Sequence, residues 1–244
     1  MSIRAVFYDL DGTLRIGRPA GRHFFADYAI ELGLPVTPEI RRKAGLWEHC
    51  YWAESPELHA DVRDFPDEKS FWANYNYRQL LALGAAPEQA NAMHSQLNSY
   101  MEESYRPVDI LMDGLQETLF HLRESGLILG VISNRHHPFG EYLEELGINQ
   151  YFDFSLAAGE VNSWKPDKEI FLHALRLTGL KPQEAMYVGD NYYADVLGAQ
   201  NAGLNPVLID PEGLFEAPGC PVIQTHGQII SIIERRNLWP GKEK

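Results

Sequence analysis

Short, almost unbroken apolar runs recur along the chain at Ile3–Tyr8, Leu127–Ile132, Phe152–Ala157, Ala185–Val188 and Pro206–Ile209. Strands buried on both faces read this way, because neither face has to be polar. Helical periodicity fills the intervals. Asp113 and Gln116 have the spacing of a capping box, and Leu115, Leu119 and Leu122 then recur at helical intervals. Phe139–Leu146 ends at Gly147, Asp167–Leu177 ends near Gly179, and Ala194–Ala202 ends at Gly203, each glycine being a helix stop signal. Strand and helix alternate over short connections, which predicts an α/β fold: a doubly wound parallel sheet covered by helices on both faces.

Residues 16–106 break the pattern and read as helix throughout. Phe24, Phe25, Tyr28 and Leu32 form one stripe closed by Gly33. Thr37-Pro38 supplies an N-cap followed by proline at the first helical position, and Ile40, Ala44, Trp47 and Tyr51 continue from it. Pro87 opens another helix through Met93, Leu97 and Met101. About four helices are expected here. The α/β domain is therefore expected to be discontinuous, residues 1–15 with 107–244, and interrupted by a helical cap domain over 16–106. An insert leaving the carboxyl end of the first strand sits over the usual ligand crevice of such a sheet, which makes it a candidate lid. The carboxy-terminal LWPGKEK is expected to fray.

Composition narrows the function classes. The formal charge of −13 opposes general binding to nucleic acid or to anionic membranes. No apolar stretch approaches the ~20 residues of a membrane span, and the acidic start MSIRAVFYDLDGT is unlike a secretory signal. Cys50 and Cys220 form neither a metal-ligand spacing nor a disulfide framework, so the cytoplasm is the simplest expectation.

Candidate chemistry gathers at strand ends. Asp9-Leu10-Asp11-Gly12-Thr13-Leu14 follows the first strand, and its two carboxylates suit a nucleophile and a general acid/base; a plain turn is the competing reading. Ser133-Asn134 follows the second core strand, where a hydroxyl and backbone N–H groups can seat an anion, although an ordinary N-cap looks the same. Lys165-Pro166-Asp167 places a lysine before a helix, in position to neutralise a phosphate oxygen or simply to sit in solvent. Gly189-Asp190-Asn191-Tyr192-Tyr193-Ala194-Asp195 adds two carboxylates, the donor type magnesium prefers. Each signal is modest alone. Four strand ends bringing acids, a hydroxyl and a lysine to one sheet edge are not expected from capping by chance.

In these motifs the chain resembles the haloacid dehalogenase superfamily, in particular phosphatases with a helical cap inserted after the first motif. DLDGTL at 9–14 is similar to the first motif, Ser133 to the second, Lys165 to the third and GDNYYAD at 189–195 to the fourth. The resemblance implies a Rossmann-like core with its first strand central. It implies Asp9 as nucleophile and Asp11 as general acid/base, held protonated near the bound anion. Ser133 and Lys165 would bind the phosphoryl group, supported by Thr13 and Asn134. Mg2+ is the implied cofactor, with Asp9, Asp11, Asp190 and Asp195 as its candidate ligands. The presence of Asp11 favours phosphoryl transfer over the dehalogenase and phosphonate-cleaving branches, which lack that carboxylate.

The expectation is a magnesium-dependent phosphatase that hydrolyses a small phosphorylated metabolite through an aspartyl phosphate. A sugar phosphomutase would use the same set, and a non-enzymatic phosphate-binding or phospho-acceptor module ranks below both. Arg15 and Arg18, nearest the catalytic loop in sequence, are the candidates for reading the leaving group. Trp47, Tyr51, Phe71, Trp72 and Tyr75 have the spacing of a cap core. No nucleic-acid or membrane partner is expected; a homo-oligomer is allowed.

Overall fold

The computed structural model describes residues 2–238. The tail expected over 238–244 lies outside the described residues from 239 on. Contacts divide the chain into two compact units, one formed by the residues up to Ile16 together with those from Ile110 on, the other by Gly17–Asp109. The divisions lie slightly beyond the expected 15/16 and 106/107, because β2 (Arg15–Arg18) and β3 (Val108–Leu111) pair as a two-stranded ribbon where the chain crosses.

The first unit is built on a six-stranded sheet. Its strands are β1 (Ala5–Tyr8), β4 (Ile128–Ser133), β5 (Phe154–Ala157), β6 (Ala185–Gly189), β7 (Asn205–Ile209) and β8 (Val222–Ile223), in the order β5-β4-β1-β6-β7-β8. All pairings are parallel, and β1 is central: Tyr8 lies beside Val131 on one side and Val188 on the other. The fold is the doubly wound α/β fold expected. Alternation explains the layers, since successive strand residues face opposite sides. Val6 and Tyr8 join one core with Leu115 and Leu119 of α6 (Leu115–Glu124), Leu143 of α7 (Gly140–Glu145) and Ile229 and Ile233 of α11 (Gln228–Leu238). Ala5 and Phe7 join the other core with Ile170, Phe171 and Ala174 of α9 (Lys168–Thr178) and Ala199 of α10 (Leu197–Asn201). Each large apolar side chain so buried stabilises the fold by roughly 1.5–3 kcal/mol before entropy is counted.

Two local expectations change. The capping box of Asp113 and Gln116 does not form; Gly114, in the left-handed region, takes the cap position of α6, so the helix starts later. A single π turn over Tyr192–Val196 leads into α10, with the Asn191 side chain accepting from the N–H groups of Tyr193 and Ala194.

The second unit contains five helices: α1 (Gly21–Glu31), α2 (Pro38–Tyr51), α3 (Pro56–Asp64), α4 (Glu68–Ala82) and α5 (Pro87–Ser104). The helix beyond the expected four is α3. Ser55 caps it by accepting from Leu58 N, and Pro56 fills the first position, a signal as clear as Thr37-Pro38 but attached to a helix too short to show periodicity. Phe25, Ala29, Leu80 and Leu97 form one apolar cluster of this unit. Tyr51 and Tyr75 are buried in a second cluster against Trp47, Trp52 and Phe71, while Trp72 remains 45% exposed. The cap aromatics are thus mainly core. Among the described residues, no helix is long and apolar enough to cross a membrane. The remaining helix, α8 (Ala158–Val161), belongs to the first unit and precedes the loop that carries Lys165.

Candidate active site

Three adjacent strands end together, and each delivers a polar group where its pleat stops. Asp9 follows β1, and its N–H donates to the Val188 carbonyl at 2.9 Å, which carries the sheet one residue further. Ser133 closes β4 and is buried. Asp190 follows Gly189 at the end of β6. Lys165 enters from the loop before α9, and its position is fixed through its backbone. The Asn134 side chain accepts from Lys165 N at 2.7 Å and donates to Lys165 O at 2.9 Å.

Lys165 is the hub. Only 2% exposed, its Nζ donates to Asp9 Oδ1 (2.5 Å), Asp195 Oδ1 (2.7 Å) and the Tyr187 hydroxyl (3.0 Å), which uses all three ammonium protons. Burial alone would push this lysine down, but the charges of Asp195 and Asp9 outweigh it and hold it well above its ordinary value, so it stays a cation. Burial drives the Asp9 carboxyl upward; Lys165 opposes the rise, and Asp195 and Asp11 add to it. A buried carboxylate pushed this way is a natural seat for a further cation. One oxygen each from Asp9, Asp190 and Asp195 lie within 4.8 Å of one another. Three hard oxygen donors fit a magnesium-type ion.

The loop from Asp9 to Thr13 is shaped for closeness to Asp190. Gly12 has a φ of +90°, and a Cβ there would stand 2.4 Å from Asp190 Oδ2. Only glycine fits on both counts. Thr13 is fully buried; its hydroxyl accepts from Asp190 N (3.0 Å) and donates to Asp190 Oδ1 (3.3 Å). The Thr13 hydroxyl, a candidate for the phosphate, is engaged with Asp190. The Asn134 side-chain amide closes two hydrogen bonds with the Lys165 backbone and so positions the lysine.

Asp11 departs furthest from expectation. It stands outside the carboxylate group. Arg135 donates to both its oxygens, Nε to Oδ2 at 3.1 Å and a terminal nitrogen to Oδ1 at 2.9 Å. Arg15 donates to Oδ1 from Nε at 2.7 Å, with a second nitrogen also in contact. Burial pulls the Asp11 carboxyl upward, but the Arg135 hydrogen bonds and the Arg15 charge outweigh it and leave it below the ordinary carboxylate value. Asp11 is therefore ionised here, not protonated, and not grouped with the metal-type carboxylates. Arg15 meets Asp11 directly. Arg18 ends β2, exposed, in the second unit.

Three residues of this site escaped sequence reasoning. Arg135 directly follows Ser133-Asn134, and its position after a strand end was the available signal. Tyr187 is two residues before Gly189, and its proton faces the Ile132 carbonyl (3.2 Å) and Asp195 Oδ1 (3.3 Å). His226, with no exposure, donates from Nε2 to the Thr13 carbonyl at 2.9 Å and so braces the first motif from behind. Burial holds its pKa down at about 4, against the raising effect of the Thr13 bond. Native His226 is neutral, whereas an unfolded histidine takes a proton below about 6.5. Its contribution to stability is complete above that pH and is lost as pH falls toward about 4, by up to about 3 kcal/mol. Urea unfolding at about pH 7 and about pH 5 should show a shallower pH dependence in His226→Gln, whose amide can still donate to Thr13, than in the parent; equal slopes would refute the assignment.

Comparisons with known proteins place the chain among relatives. The family model described as haloacid dehalogenase-like hydrolase matches residues 3–203. The glyceraldehyde 3-phosphate phosphatase of Methanopyrus kandleri is 41% identical over 208 residues, covering 85% of this chain and 84% of that one. The phosphoglycolate phosphatase of Salmonella typhi is 30% identical over 214 residues, covering 83% and 79%. The fold is shared with the crystal structure of a predicted phosphoglycolate phosphatase from Haemophilus somnus, at a TM-score of 0.60, 20% identity and coverage of 95% and 98%. With its central β1, its three strand-end motifs, its lysine loop and a matching model over most of its length, the chain belongs to the haloacid dehalogenase-like hydrolase family.

Proposed function

We propose that the protein is a magnesium-dependent phosphatase, acting in the cytoplasm on a small phosphorylated metabolite through an aspartyl phosphate. The observation that carries this reading is the buried Asp9–Lys165–Asp195 arrangement beside Asp190 at the end of the central strand. Phosphatase relatives of 30% identity and above support the reaction class. The free state of Cys50 and Cys220 supports the compartment.

Asp9 and Asp190, with Asp195 beside them, would hold the ion. Bound there, it would offset the repulsion between an anionic ester and an anionic nucleophile and favour in-line transfer. Asp9 attacks phosphorus, the bond to the leaving oxygen breaks, and the phosphoryl group passes to the carboxylate. Lys165 opposes the burial-driven rise of the Asp9 carboxyl, orients it, and faces the same region with a fixed positive charge. Ser133, at the adjoining strand end, is the hydroxyl placed for an equatorial oxygen. Asp11 gives a proton to the leaving oxygen and later takes one from the water that hydrolyses the intermediate. Its ionised state in this structure suits the second step. For the first, an incoming phosphate dianion raises the Asp11 carboxyl and competes for its arginines.

The experiment is phosphate release from a panel of phosphorylated metabolites and one aryl phosphate, with magnesium and after chelation. Release is expected with magnesium, its loss on chelation and its return on adding the ion back. Release that persists unchanged in chelator would contradict the metal assignment.

A further inference from the structure

Two guanidinium groups grip one half-exposed carboxylate at Asp11, and they are held in different ways. Arg15, at the start of β2, is four residues from Asp11, and its guanidinium carbon is 5.9 Å from the centre of the Tyr142 ring. Arg135 comes from the neighbouring strand, after β4, and lies closer over the same ring of α7, its guanidinium carbon 4.4 Å from the centre. Such stacking orients a guanidinium independently of its anionic partner. Arg135 is also 32% exposed, so an approaching solute can meet it.

The Arg135 fork presents Nε and a terminal nitrogen to the two oxygens of a carboxylate. That is a carboxylate-binding geometry already assembled. If Arg135 turned to another carboxylate, neither side would be left uncompensated. Asp11 would keep Arg15, and Arg135 would exchange one carboxylate for another while Tyr142 still supported it. In a chain of charge −13, local guanidinium groups are also what admits an acidic solute. Asp11 serves the leaving oxygen, so an anion taken by Arg135 belongs to the leaving group.

We infer that Arg135 is a specificity-determining residue that binds a carboxylate on the leaving group, so that the preferred substrates are short phosphate monoesters of hydroxy acids. This rests on the phosphatase reading above and names its substrate class.

The test uses the full chain with magnesium and three esters of similar size: phosphoglycolate, ethyl phosphate and ethylene glycol bisphosphate. The parent should favour phosphoglycolate over ethyl phosphate in kcat/KM by about tenfold to a hundredfold, the worth of one charged hydrogen-bonded pair. In Arg135→Gln that ratio should collapse toward one, and Arg135→Lys, which keeps the charge without the fork, should fall between. Using a ratio within each variant cancels any shared effect on Asp11, and thermal unfolding checks that each variant is folded. A parent without preference, or a ratio that survives in Arg135→Gln, would overturn the assignment. Equal preference for the bisphosphate would overturn the choice of carboxylate in favour of a general anion seat. A protein inactive on every phosphate ester would instead overturn the phosphatase reading beneath it.

Discussion

Asp9→Asn is expected to lower kcat by at least about four orders of magnitude while leaving the protein folded. The amide oxygen can still accept from Lys165, so the hub of the site keeps its shape. The substitution also removes a charge that burial disfavours, so no loss of thermal stability is expected. Catalysis alone should fail, because an amide cannot form the acyl phosphate. Phosphate release and a melting curve on the same preparation separate the two properties. Turnover near the parent level in a folded Asp9→Asn protein would remove Asp9 from the mechanism. A large drop in melting temperature would show that its charge is structural.

Lys165→Met is expected to do the opposite to stability. Its loss would leave Asp9 and Asp195, 6% and 1% exposed, facing one another without the ammonium that holds both. Removing one partner from a buried ionic group typically costs about 3–5 kcal/mol. For a chain of this size that corresponds to a fall in melting temperature on the order of 10 °C. The raised Asp9 carboxyl already favours stability at lower pH, and that dependence should steepen. Unpaired buried carboxylates favour their protonated forms, so the folded variant takes up protons more readily than the unfolded chain and gains stability as pH falls. Melting at about pH 8 and about pH 5 reads this directly. A variant as stable as the parent at both values would mean that the lysine is not what keeps the two acids apart.

The strands and the order of the strand-end motifs were legible because they are written locally. Buried parallel strands carry apolar runs, and Leu127–Ile132 and Ala185–Val188 match β4 and β6 to within a residue. The acids of the first and fourth motifs and Lys165 stand at strand ends or in the adjoining loop, so topology alone brings Asp9, Lys165, Asp190 and Asp195 together. What a local pattern cannot state is which partner a polar side chain chooses. Thr13 has a hydroxyl that would suit a phosphate or a carboxylate equally. Only the fold, by bringing Asp190 onto Gly12, decides that it holds Asp190. Asn134 could have capped a helix or touched a ligand, and it instead closes two hydrogen bonds with a backbone 31 residues away. The pairing of Asp11 with Arg135 joins residues 124 apart. That distance in sequence is why the arginine partner of Asp11 was not legible in the chain. The missed helix α3 is of another kind: its cap and proline were visible, but its nine residues were too few for a periodic stripe.

The central claim is that the phosphoryl group rests on Asp9 during turnover. It is tested most directly by quenching the reaction in acid within the first turnover, using a radiolabelled phosphate ester, and mapping the labelled peptide. The account predicts an acid-stable, hydroxylamine-sensitive label on the peptide containing Asp9, absent from Asp9→Asn. Magnesium-dependent turnover with no labelled protein, or with the label on another residue, would contradict it.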